Sequence, residues 1–503
     1  MSFKLLSQRP LLLLLALVGS VLFLSMPREV YRGDAVAIRG ATLSLLQSGD
    51  LAIHDELLAQ NKEIIAGQDQ AYFIRNEDDG RYFSKWGFLN TLLYIPPVSV
   101  QLLRDSDLSL LAVRGDFGLV LSLYNILWAL GLTIYLWLLA GLFVQKNSIK
   151  IVYILGCLFS SFLWNFLRAQ TTEIFQVFFF VACAYHYFFW LRKREEGIQA
   201  SPEKHLFVAL IYVVLLCWLK PYFVLLLFLL ALHAAWFTLN HEQQAAWPRQ
   251  VGVFLLIGAL GLLVLLCSHE YKFGSPFVSG YGRTVESNLG NDFTGNIFEG
   301  LKGLLFSSNY GVFLHFPLLL LSLLGAKRFW TKYRAHYSFV LVVALVFFCF
   351  IAKMENWAGH WSYGPRYVLF FLPVLSLPAI ELFLGVDALG KKQRLFYGTD
   401  ILLFLLFTLW LQIQVNSLNF FISYEVRDEI FRVWAPEGRA LEYFETSNFS
   451  RMNYDLLAFR SGEKPFYPVE TLKNLLSEEQ MGFIEHKIKS KLWINYYWIE
   501  NGL

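Results

Sequence analysis

From Leu11 onward the chain falls into apolar blocks separated by short polar stretches. Many of these blocks approach the ~20 residues that a helix needs to cross a bilayer's ~30 Å hydrocarbon core. A water-soluble core has no use for so many uninterrupted blocks. Composition agrees, with 16% charged residues and 47 Phe in 503 residues; soluble domains carry roughly 25% charge. The reading is an all-α polytopic membrane protein. A net charge of +3 with no basic arm leaves no case for a nucleic-acid partner. The five cysteines stand singly in or beside apolar blocks, without metal or disulfide spacing, and read as small core residues.

Eleven spans are expected: Leu11–Met26, Phe117–Val144, Ile149–Phe166, Ile174–Leu191, Leu206–Leu219, Tyr222–Leu239, Val251–Cys267, Gly311–Leu324, Ser338–Ile351, Tyr367–Leu384 and Ile401–Val415. The first follows MSFKLLSQRP, and SMPREVY after it lacks a small-x-small cleavage pattern, so it reads as an uncleaved span. Leu206 to Leu239 is divided at Lys220-Pro221, because proline disfavours helix at the residue before it. That division lets QKNSIK, RKREEG, AKRFWTKYRAH and GKKQR share one side, as the positive-inside rule requires. The N-terminus then lies in the cytoplasm of a bacterial inner membrane. The loop 27–116, two further loops and the tail lie outside. Residues 1–415 form the membrane module, and 416–503 a C-terminal extracytoplasmic tail or small domain.

Chemistry-bearing residues gather on the outer loops. Asp34, in VYRGDAVAIRG, stands just past the first span. It suits the N-cap of a helix that lies amphipathically on the bilayer surface, with Ile38, Ala41, Thr42, Leu45 and Leu46 on one face. A carboxylate at that boundary also suits a general base. Further on, EDDGRYFSKWGFLNTLLYIPP carries Asp78 and Asp79 as possible second acids and Lys85 as a phosphate contact. Its plainer reading is an exposed turn with interfacial anchors. In ENWAGHWSYGPRYVLFFLP, Trp357, His360, Trp361 and Tyr363 suit sugar or acceptor stacking, or an aromatic belt. Arg366 in the same stretch suits phosphate, or anchoring.

Glu173, beside Arg168 across a short turn, is another candidate acid, and Lys220 at the Lys-Pro break another phosphate contact. His186 and His233 read as histidines satisfied inside the bundle. His54, Asp55 and Glu56 lack any recognised metal-ligand spacing. No metal ligand is therefore assigned, although a carboxylate-bound Mg²⁺ or Mn²⁺ leaves no clear signature.

Taken in order, the acid after span one, DGRYFSKWG, FGSP…GY…GLLFSSNYG and WAGHWSYGPRYVLFFLP resemble the bacterial GT-C superfamily of polytopic glycosyltransferases, in particular the protein mannosyltransferase and aminoarabinose transferase group. The resemblance spans about Leu11 to Gly385. It implies a polyprenyl-phosphate-linked sugar donor, an acceptor glycan, lipid or protein, and inverting transfer on the outer face with Asp34 as the catalytic acid of the first loop. Where the family often has two acids, this chain has Asp34-Ala35. A lipid phosphate leaves as a stable anion, so one base suffices, with Lys85, Lys220 and Arg366 to hold the departing phosphate. The rival classes are a transporter or flippase, disfavoured by charges that avoid the midplane and by the lack of repeats, and a non-enzymatic envelope assembly protein.

Overall fold

The computed structural model describes residues 9–27, 34–53, 73–76, 78–104, 118–168, 172–197, 203–240, 247–280, 293–307, 310–359, 363–416 and 477–478. In chain order the helices are α1 (Arg9–Leu24), α2 (Asp34–Ser48), α3 (Phe88–Arg104), α4 (Gly118–Gly141), α5 (Asn147–Phe159), α6 (Leu163–Arg168), α7 (Glu173–Glu195), α8 (Glu203–Leu219), α9 (Val224–Asn240) and α10 (Trp247–Phe273). They continue with α11 (Ile297–Phe306), α12 (Val312–His315), α13 (Leu318–Lys332), α14 (Arg334–Ala352), α15 (Leu372–Leu375), α16 (Ala379–Asp387) and α17 (Lys391–Asn416). Short 3-10 turns occupy Pro221–Phe223 and Arg366–Phe371.

Seven stretches among the described residues are long and apolar enough to cross a membrane: Leu119–Gly141, Glu173–Glu195, Pro221–Asn240, Val251–Phe273, Arg334–Ala352, Arg366–Asp387 and Lys391–Ile413. α1 and α5 are apolar but shorter, in keeping with the short members among the expected spans, and several of those spans are interrupted within their length. The reasons are local. In the expected span Ile149–Phe166 the helix breaks at Ser160-Ser161. There the Ser161 hydroxyl donates to the Cys157 carbonyl and accepts from the Leu163 amide, diverting the backbone from its ladder. The Phe162 amide goes instead to the His315 carbonyl at 2.8 Å. Pro317 divides the expected span Gly311–Leu324 into α12 and α13, and Pro373 and Pro378 punctuate the segment from Arg366 to Asp387.

The division at Lys220-Pro221 is present. Lys220 is extended, with φ −146° and ψ 123°, the region a following proline favours. α7 runs through the middle of the bundle, buried along most of its length. Its first turn carries Glu173 and its last turn Arg192, Lys193 and Arg194, each sign suited to the helix dipole. α10 and α17 form the rim, with Leu255, Leu256, Leu402, Leu403 and Phe407 exposed, as lipid-facing helices require. Tertiary hydrogen bonds stitch the interior. Tyr187 Oη lies 2.6 Å from His233 Nδ1, and His233 Nε2 lies 3.0 Å from Ser338 Oγ, joining α7, α9 and α14.

The four basic segments meet at one end of the bundle. Lys146 pairs with Asp387 at 2.6 Å, and Arg394 with the same carboxylate at 3.7 Å. Lys332 pairs with Glu381 at 2.7 Å. Arg192 donates to the Leu142 carbonyl, and Tyr333 to that of Phe143. The first-loop elements stand at the opposite end.

The first loop holds a small sheet that the sequence did not reveal: β1 (Ala52–Ile53), β2 (Phe73–Arg75) and β3 (Tyr82–Ser84) pair antiparallel in the order β1-β3-β2, with Phe83 opposite both Ala52 and Ile74. Strands of two or three residues are too short for an alternating pattern to stand out. α2 also does not lie half-exposed on a surface. Residues 35–44 are all buried, including Arg39. The helix docks on α3, where the Thr42 hydroxyl donates to the Thr91 carbonyl at 3.1 Å. Burial lowers the Arg39 guanidinium pKa to about 10, with the nearby Tyr94 acting in the opposite direction.

Candidate functional site

At the end opposite the basic belt, three chain segments converge on the break between α8 and α9. The first is the turn Lys85-Trp86-Gly87, which joins β3 to α3. Gly87 presses against the last carbonyls of α8: a Cβ there would lie 2.0 Å from the Trp218 oxygen and 2.6 Å from that of Leu219. No residue but glycine permits that approach. The Asn90 amide donates to the Leu219 and Gly87 carbonyls at 3.0 and 3.1 Å, which locks the turn in place. Lys272, in the last turn of α10, donates to the Trp86 carbonyl at 2.6 Å. The Lys85 ammonium stands 4.8 Å from the centre of the Trp86 ring.

The second segment is the break itself. Lys220 Nζ lies 3.6 Å from Glu173 Oε1, with both side chains nearly excluded from solvent, at 5% and 3% exposed. Its ammonium also faces the rings of Tyr367, at 5.5 Å, and Tyr222, at 5.9 Å. The Tyr222 hydroxyl donates to Gln176 at 3.4 Å, and Gln176 to the Thr172 hydroxyl at 3.0 Å. The third segment is Arg366-Tyr367. The Arg366 guanidinium lies 5.3 Å from the same Tyr367 ring that Lys220 faces. Two cations from distant parts of the sequence thus share one aromatic plane, within a helix-end environment.

Asp34 is the first residue of α2. Through α3, α2 belongs to the same assembly as Lys85. Asp78 and Asp79 occupy the tight turn from β2 to β3. The Asp78 amide donates to Asn76 Oδ1 at 3.0 Å, and the Asp78 carboxylate sits over Gly274, where a Cβ would be 2.2 Å away. Asp79 is bound by Arg81 at 2.6 Å, and Arg81 also reaches Asp50 at 2.7 Å. Asp50 accepts from Tyr271 Oη at 2.6 Å, which ties this turn to α10. The Arg81 hydrogen bonds hold the Asp79 pKa below the usual carboxylate range. At Asp50, burial pushes the pKa up, but hydrogen bonds from Tyr271 and the Ala52 amide, with the Arg81 charge, outweigh it and leave the pKa lowered.

The aromatic group does not act as one unit. Trp357 packs on α11, its ring 2.1 Å from where a Cβ on Gly303 would stand, and meets Tyr310 edge-on at 6.0 Å. Tyr363 corrects the stacking expectation: it is 1% exposed, donates to Gln412 at 3.1 Å and packs against Phe162 and His315. A ring enclosed in this way offers no face to a sugar. His360 and Trp361 lie outside the described residues, as do His54, Asp55 and Glu56. Glu173, another candidate second acid, is buried and lies against Lys220. Arg168, its expected neighbour, donates to the Ser25 carbonyl and to Asn416, which joins the ends of α1, α6 and α17.

Tyr367 and Lys272 escaped the sequence reading. A tyrosine directly after Arg366 at a helix mouth was the available signal for the first; Lys272, five residues past the expected span Val251–Cys267, gave no signal of its own. Among the described residues no group of three or more His, Cys, Asp or Glu side chains gathers to hold a metal ion. The arrangement presents cations and aromatic faces at one end of a membrane bundle, a setting suited to a phosphate attached to an apolar chain.

Among solved structures, the chain is similar to the crystal structure of ArnT from Cupriavidus metallidurans bound to undecaprenyl phosphate, at 13% identity and a TM-score of 0.50, covering 95% of this chain and 74% of that one. No protein-family model matches the chain, and no curated protein does. At that identity the likeness is one of fold: an ArnT-like helical membrane fold.

Proposed function

We propose that this protein is an inverting glycosyltransferase of the GT-C type, which moves a sugar from a polyprenyl-phosphate donor to an acceptor hydroxyl on the extracytoplasmic face of the membrane. The observation that carries the reading is the pair of cations, Lys220 and Arg366, on the Tyr367 ring at the end opposite the basic belt. The Lys85 turn is keyed onto the carbonyl just before Lys220. The fold shared with ArnT, whose crystal structure was bound to undecaprenyl phosphate, supports the same reading.

In this mechanism Asp34 takes the proton of the acceptor hydroxyl. The acceptor oxygen bonds to the anomeric carbon from the face opposite the phosphate as the carbon–oxygen bond to phosphate breaks, so the configuration inverts. The electron pair of that bond leaves on the lipid phosphate, which Lys85, Lys220 and Arg366 hold through charge-assisted hydrogen bonds. No acid is required for a leaving group that is already a stable anion. General-base assistance contributes about 10²–10⁴-fold.

The test is purified protein with a polyprenyl-phosphate sugar, wild type against Asp34→Asn. Wild type releases polyprenyl phosphate and glycosylated acceptor; Asp34→Asn loses turnover by about 10²–10⁴-fold while still binding donor. Movement of intact donor across a vesicle membrane identifies a transporter instead, and donor left unchanged by both proteins identifies an assembly role.

A further inference from the structure

We infer that α3 rests against lipid: the face formed by Leu92, Pro96, Val100 and Leu103 is seated in the bilayer leaflet at the end opposite the basic belt. The surface role that the sequence suggested for α2 belongs to α3 instead. This contact holds whichever substrate the protein uses.

Three observations carry it. The first is that α3 is amphipathic with its faces reversed. Leu92, Pro96, Val100 and Leu103 are all exposed, Leu103 by 90%. Their spacing puts them on one face of the helix. Ser99, the one polar residue on that face, is half-buried. The opposite face is buried and carries Asn90, Thr91, Tyr94 and Gln101 beside Pro97 and Val98. A helix bordering water turns its polar residues outward. This one turns them inward and presents an apolar strip outside, as a helix in contact with a membrane does.

The second observation is that the inner face is fixed, so the strip cannot roll inward. The Asn90 amide donates to the Leu219 carbonyl of α8 at 3.0 Å, and the Thr91 carbonyl accepts from Thr42 of α2 at 3.1 Å. Tyr94 meets Phe175 of α7 edge-on at 6.0 Å. Turning the strip away from its present direction would break contacts with all three helices.

The third observation is continuity with the membrane surface of the bundle. Tyr124 of α4 donates to the Leu93 carbonyl at 2.6 Å, which joins α3 to a spanning segment. Leu123 and Leu127 flank Tyr124 in α4 and are exposed. The strip on α3 begins beside the residue that Tyr124 holds, next to a surface that faces lipid. Its ends are closed by the residue types that anchor at headgroup level: Lys85 and Trp86 just before the helix and Arg104 as its last residue.

The experiment places spin labels on single cysteines of the full-length protein lacking its native ones, in vesicles of phosphatidylethanolamine and phosphatidylglycerol. Power saturation measures collisions with oxygen, which concentrates in lipid, and with a water-soluble nickel chelate. Val100→Cys and Leu103→Cys are expected to match Leu127→Cys, relaxed by oxygen and shielded from nickel. Asp79→Cys is expected to show the opposite preference, and Val98→Cys, on the buried face, to be shielded from both. Relaxation by nickel at positions 100 and 103 means that the strip faces water, which overturns the inference. Shielding from both reagents there means that protein covers the strip, whether another segment of this chain or a second copy, and overturns it too.

If the cysteine-free chain does not fold, the native sequence answers the same question. A benzophenone-bearing amino acid in place of Leu103 is expected, on illumination in the same vesicles, to add the mass of one phospholipid to the chain. Attachment to protein alone, or no adduct, overturns the inference.

Discussion

Replacing Gly87 by alanine tests how the first loop is seated on the membrane helices. The added Cβ would start 2.0 Å from the Trp218 carbonyl oxygen, where ordinary contact is 3.4 Å or more, so the two backbones must part by about 1.4 Å. Both groups are main chain, and no side chain can swing aside to absorb the overlap. The movement stretches the Asn90–Leu219 hydrogen bond, now 3.0 Å, beyond bonding range. Overpacking of this kind costs about 1–3 kcal/mol, and a lost hydrogen bond about 1 kcal/mol more. The expected destabilisation is therefore about 2–4 kcal/mol.

The functional consequence is larger, because the displaced turn carries Lys85 away from the α8 end that precedes Lys220. A misplacement near 1 Å costs about 10²-fold in rate. Thermal unfolding in detergent and sugar transfer at saturating donor read the two effects. Gly252→Ala is the control, since a Cβ there meets nothing within 4 Å, and in a helix interior it is expected to be neutral or slightly stabilising. A Gly87→Ala protein with wild-type melting temperature and wild-type turnover would refute the seating of the loop on α8 and its role in placing Lys85.

Acid should open the link between the first loop and α10. Asp50 and Asp79 have lowered pKa values in the folded protein, so their stabilising contribution is complete above the ordinary carboxylate range and is lost as pH falls below about 4. Hydrogen exchange at the β3 amides should quicken over that window in wild type, and the acid dependence should flatten in Arg81→Gln. Arg168→Leu removes the donor to Ser25 and Asn416, with an expected loss of about 1.5–3 kcal/mol read as a lower melting temperature; no loss contradicts its joining role. Sidedness is open to thiol labelling in a background without native cysteines. An impermeant reagent should modify Asp79→Cys in intact cells and reach Lys392→Cys only after lysis, and the reverse pattern inverts the topology.

The sequence by itself determined the solvent of this protein and one of its principal helix breaks. Block length sets a membrane span through the thickness of the bilayer. Lys220-Pro221 dictated a break through the geometry of proline, and the break is present with Lys220 extended. The basic segments that the positive-inside rule grouped do meet at one end. Serine breaks such as Ser160-Ser161 were not legible, because a serine hydroxyl stays within a helix or leaves it according to what receives the freed amide, here the His315 carbonyl. The two-residue strand β1 was equally hidden, since its pairing with β3 is its only definition.

Individual site residues were legible as types, and their partnerships were not. Lys220 and Arg366 could each be suspected of binding phosphate from their position at helix mouths, but only the tertiary structure brought Lys220 to the Tyr367 ring that Arg366 also approaches. It also set Glu173 beside Lys220, and closed Tyr363 inside the bundle. The physical reason is range. Propensity, periodicity and proline geometry act over a few neighbouring residues, whereas an ion pair or ring contact depends on how helices separated by tens of residues pack together.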